Sequence, residues 1–121
     1  MNGYVGGTDT SDVGNGYTTF HKMADIRRPS DIYVILDEHP LTINDSLWVP
    51  PFSGPGTWQD FPGSYHSRGG SFNYADGHAT LHKWLDSSTC IGPNGPIVWT
   101  VPLNQMQDID WAMNGMSDPS P

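Results

Sequence analysis

Apolar and polar residues alternate from Ser71 to His82 around an Asp-Gly pair, a pattern that predicts a β-hairpin. A two-residue turn at Asp76-Gly77 pairs Ala75 with His78, Tyr74 with Ala79, Asn73 with Thr80, Phe72 with Leu81 and Ser71 with His82. Successive side chains point to opposite faces of a strand. Phe72, Tyr74, Ala79 and Leu81 should therefore form an apolar face, and Ser71, Asn73, His78, Thr80 and His82 a wet one. Gly77 supplies the positive φ of a type I′ turn, and Asp76 tolerates the same region.

The remaining segments read differently. Asp31 to Asp37 is β-branched and nearly continuous, which predicts a strand buried on both faces. Ile97 to Val101 reads as a further strand. Phe20 to Arg28 fits a short helix or an extended segment, ended by Pro29. From Leu103 to Met116 the spacing becomes helical. Met106, Ile109, Met113 and Met116 fall on one arc, with Asn104 as N-cap and Gly115 as the stop. Residues 1–19 are irregular. Residues 40–64 form a proline-rich loop that Trp48, Phe52, Trp58 and Phe61 pin to the body. Residues 117–121 are a tail. The sum is one domain over 1–121 with its body at 20–116, α+β and mostly β.

Composition narrows the function. The 121 residues carry 13 acids against 5 Lys and Arg, for a net charge of −8. That balance argues against nucleic acid and anionic membranes, and favours divalent cations. Cys90 is the single cysteine, so neither an intrachain disulfide nor a cysteine zinc site is available. No apolar run is long enough for a signal peptide or a membrane span. The opening residues read as the middle of a loop.

His66, nine residues, then Asp76-Gly77 resembles the His-x9-Asp-Gly signature of prepilin-type, pseudopilin-like proteins. Residues 25–30, then Asp37-Glu38-His39-Pro40 and Ile43-Asn44-Asp45, resemble the segment before that signature. Residues 58–66 resemble its approach, and Asp108-Ile109-Asp110-Trp111 the family's C-terminal end. The resemblance runs from about residue 1 to 112. It implies a pseudopilin-like antiparallel sheet with long loops and a short C-terminal helix, lacking the family's long N-terminal helix. It also implies a parent protein in the periplasm or at the cell surface. The sheet face on which that helix docks would need another cover: residues 103–116, the loop aromatics or a second copy of the chain.

Several residues are candidates for chemistry. Asp37, Glu38 and His39 end a strand and could form a metal or acid–base cluster, or be turn polarity. His66 and Asp76 could meet across the hairpin as a pair or as joint metal ligands, or His66 could lock a loop and Asp76 serve the turn. His78 and His82 lie about 13 Å apart on a strand, too far to share a metal. Asp9, Asp12 and Asn15 faintly resemble a calcium loop but lack the spaced Glu. Calcium ligands would come from Asp37, Glu38, Asp45, Asp60 and Asp76, with Asp37, Glu38 and Asp76 foremost.

Three functions follow. The leading one is a structural subunit of a secretion or pilus-type filament, its partners being other pilin-like subunits or itself. The second is a metal-dependent hydrolase of small esters or lactones, such as acyl-homoserine lactones, using His66, Asp76 and His78. The third is a carbohydrate-binding module built on Trp48, Trp58, Trp99, Tyr65 and Phe52.

Overall fold

Tyr33–Leu36 form strand β1, Gly69–Tyr74 β2, Ala79–Lys83 β3, and Gln107–Met116 helix α1. The computed structural model describes residues 1–6, 17–49 and 56–119. The strands make an antiparallel sheet in the order β1-β2-β3, so the fold is a small α+β one with more sheet than helix. Met23–Asp25 is a single 3₁₀ turn, which resolves the ambiguous 20–28 segment. Among the described residues no helix is long and apolar enough to cross a membrane.

The hairpin forms where expected, with a different turn. Gly77 N–H donates to Tyr74 O at 2.9 Å, and Tyr74 N–H donates to His78 O at 2.9 Å. Gly77 takes φ +93°, while Asp76 is not left-handed. This is a three-residue loop, a type I turn closed by a left-handed glycine in a G1 bulge. The extra loop residue slides β3 by one. Phe72 now faces Thr80, Gly70 faces His82, and Leu81 lies opposite Ser71. A slip of one residue exchanges the two faces of a strand. Thr80, His82 and Trp84 therefore join Phe72 and Tyr74 on the inner face, and Leu81 is 53% exposed on the outer one.

The inner face holds the core. Tyr33, wholly buried, packs edge-on against Trp48 at 5.9 Å and Phe72 at 5.3 Å. Trp111 of α1 reaches Phe72 at 4.9 Å, and Tyr33 Oη donates to Ala112 O at 2.7 Å. Trp48, Trp58 and Phe61 are buried as the loop pins expected of them; Phe52 lies outside the described residues. A second cluster of Val5, Phe20, Ile26 and Ile32 packs beside this core.

Three expectations change. β1 is not buried on both faces: a register irregularity between Tyr33 and Ile35 turns Ile35 out, and it is 56% exposed. Residues 97–101 make no strand, because only the bridge Thr57–Thr100 forms and Trp99 stays 44% exposed. Helix α1 starts at Gln107, not near Asn104. Its N-terminus is capped from outside, by Asp86 Oδ2 accepting the Asp108 N–H at 2.9 Å. Gly115 lies within the helix.

Candidate functional site

Two polar centres hold the hairpin, one at each end of β2. At the first, Asp37 Oδ2 accepts the Ser71 N–H at 2.9 Å and the Ser71 hydroxyl at 2.7 Å. His66 Nε2 lies 3.2 Å from the same oxygen. Asp37 N–H also donates to Ser71 O of β2, while Asp37 O accepts the Gly63 N–H from the preceding loop, so the residue ties β2 and that loop to the end of β1. Between His66 and β2, Ser67 and Arg68 are left-handed, at φ 51° and 67°. Such residues cost about 1–2 kcal/mol each. Three contacts fix the bend: His66 N–H to Gly69 O, Trp84 N–H to Arg68 O, and His66 to Asp37.

At the second centre, Asp76 Oδ1 accepts the His78 N–H at 3.0 Å and lies 2.5 Å from His78 Nδ1. These bonds from His78, the backbone one first, hold the Asp76 carboxyl below its usual value. The His78 ring stacks on Tyr74 at 4.3 Å. It borders a cavity of about 290 Å³ with Arg28, Asp31, Tyr74, Trp111 and Asn114. Arg28 is already engaged: Nε donates to Asp118 Oδ1 at 2.6 Å, and Nη2 donates to Asn114 O at 3.4 Å and Ser117 O at 3.3 Å.

His66 and Asp76 therefore do not meet; β2 lies between them, about 20 Å of extended chain. His66 pairs with Asp37 and Asp76 with His78. His39 is wholly buried, with Nε2–H donating to Gly92 O at 3.1 Å and Nδ1 accepting the Leu41 N–H at 3.3 Å. Both nitrogens are used within the fold. Glu38 accepts the Thr42 hydroxyl, and burial raises its carboxyl above the ordinary value. Asp60 shifts the same way by burial while accepting the Val49 N–H.

Asp37, Glu38 and Asp76 do not make one cation site, because Asp76 lies at the opposite end of the β1–β2 pair. Among the described residues no three His, Cys, Asp or Glu side chains gather to hold a metal ion. Asp9, Asp12 and Asn15 lie outside the described residues. Of the aromatic set considered for sugar binding, Trp48 and Trp58 belong to the core, Trp99 and Tyr65 are exposed, and Phe52 lies outside the described residues.

Two further arrangements stand outside the expected residues. Asp108 and Asp86, both buried, cap one another's segments: the Asp108 carboxylate accepts the N–H groups of Leu85 and Asp86 at 2.9–3.1 Å. An acid in the first turn of a helix was the available signal. The cavity beside His78 had none, since its walls come from segments far apart in sequence.

No protein-family model matches this chain, and no curated protein or solved structure does. The pseudopilin resemblance rests on the motif residues alone.

Proposed function

We propose that the chain is the globular domain of a pseudopilin-like structural subunit that works by packing against other copies or related subunits. One observation carries the reading. The residues of the His-x9-Asp-Gly element are occupied in building the hairpin: His66 anchors a left-handed bend to Asp37, Asp76 holds the turn through His78, and Gly77 supplies its positive φ. Side chains used in this way are positioned for shape and not for turnover. An architectural element of this kind suits a protein whose product is a surface.

The test is self-association in a cell extract. A tagged copy is co-expressed with an untagged one and purified through the tag. Recovery of the untagged copy, retained through washing, is the expected result. Its complete absence, with the tagged chain folded, would count against the reading.

The hydrolase reading has one observation in its favour. Asp76 orients the His78 ring through Nδ1, which leaves Nε2 as a proton acceptor beside the 290 Å³ cavity. Of the expected set His66, Asp76 and His78, only Asp76 and His78 meet, which would make His78 the base. Saturable ester or lactone turnover lost in His78→Ala would favour it.

A further inference from the structure

The two edges of the sheet are treated differently. The outer edge of β1 is covered: Asn2 N–H donates to Val34 O and Asn2 Nδ2 donates to Tyr33 O, both at 2.8 Å. β3 forms the other edge and lies almost wholly at the surface. Its hydrogen-bonding alternation follows from the turn. Tyr74 bonds His78, and Trp84 bonds Arg68, so Thr80 and His82 between them direct their N–H and C=O groups to β2. Ala79, Leu81 and Lys83 direct theirs outward, and no described residue bonds them. An uncovered edge of this length is a template for another strand.

We propose that this edge is where two copies of the chain meet, β3 pairing antiparallel with β3 about a two-fold axis at Leu81. The inference rests on the assembly reading above and names its surface. Four features select a second copy as the occupant. With Leu81 on the axis, Leu81 faces its counterpart and Ala79 faces Lys83, so every outward N–H and C=O finds a partner, about six bonds in all. A two-fold contact closes on itself and joins the sheets into one of six strands. Charge also favours it. The chain carries −8 overall, so copies repel over most of their surface, but in the sequence no acid lies between Asp76 and Asp86, where Lys83 adds a positive charge on the exposed edge. On the outer face the two exposed Leu81 side chains then shelter one another, in line with Ala79 and Ile35.

The test follows the mass of the full chain by sedimentation from about 10 µM to about 1 mM, in about 50 mM and about 0.5 M salt. The weight-average mass should rise from 13.3 kDa toward twice that value, more readily in high salt, which screens the net repulsion. Amide exchange resolved by residue gives the signature. Ala79, Leu81 and Lys83 should slow by about tenfold or more with concentration, while Thr80 and His82 are slow throughout. Leu81→Pro removes an outward N–H that the fold does not use, as edge strands tolerate. It should raise the dimer dissociation constant by at least about tenfold. Leu81→Lys, which keeps the N–H and sets two charges against each other on the axis, should do the same. A chain that stays monomeric throughout overturns the pairing. Association that survives both variants, without the alternating protection, also overturns it while leaving the assembly reading in place.

Discussion

His82 couples the stability of the fold to pH. Its ring lies 3.5 Å from Trp111 and 4.8 Å from Trp84, and its Nε2 is buried without a hydrogen-bond partner. Burial lowers its pKa from 6.5, the charge of Asp108 pulling the other way. Between that lowered value and 6.5 the unfolded chain binds a proton that the folded chain does not. Stability should therefore fall as pH drops through this window and be insensitive to His82 above it. Glu38 and Asp60, raised above 4.5 and 3.8 by burial, act oppositely and at lower pH. Urea midpoints between about pH 7.5 and 5 should decline for the parent chain and decline less for His82→Phe. Equal slopes would show that another group is responsible. Asp37 makes a second prediction. Asp37→Ala leaves the Ser71 N–H and hydroxyl without their acceptor and should cost about 1–3 kcal/mol in denaturant unfolding. Asp37→Asn, which keeps an acceptor oxygen, should cost less.

At the scale of elements, helix α1 is fitted to β1 by the absence of a side chain. A Cβ on Gly115 would lie 2.8 and 2.9 Å from the Tyr33 ring and 3.2 Å from Asp31 O. Alanine improves helix propensity by about 1 kcal/mol. Tyr33 is wholly buried and cannot yield, so overpacking of about 1–3 kcal/mol should win, and Gly115→Ala should lower the unfolding midpoint. At the hairpin the conditions are reversed. Gly77 has open space around its Cβ position, so Gly77→Ala should cost only the left-handed backbone term, about 1–2 kcal/mol. The hairpin also marks how far the sequence could be read. Asp-Gly located the turn, and the alternation located both strands. The register depended on which parity of β3 faces inward, Ala79 and Leu81 or Thr80, His82 and Trp84. Burying the Trp84 indole, which donates to Gly63 O at 2.8 Å, outweighs burying Leu81, and a three-residue loop permits it. The apolar arc of α1 was legible because its period is local. The pairing of His66 with Asp37, and the cavity beside His78, were not, because they depend on how β1 and β2 are aligned.

For the whole molecule, a large share of the chain is loop, and aromatic residues do the work that strands and helices do elsewhere. Trp48, Trp58 and Phe61 carry the long loop into the same core as Tyr33, Phe72 and Trp111. The polar groups of the signature then fix the hairpin on that core. We propose that His66 and the Asp76-Gly77 turn serve this architecture and not a reaction. The direct measurement sets unfolding midpoints beside hydrolysis rates of an activated ester and a lactone, for the parent chain, His66→Ala and Asp76→Ala, with and without chelator. Both variants should have lowered midpoints, and all three proteins should show hydrolysis at the buffer rate. Chelator-sensitive turnover that vanishes in the variants while their midpoints stay unchanged would contradict that proposal.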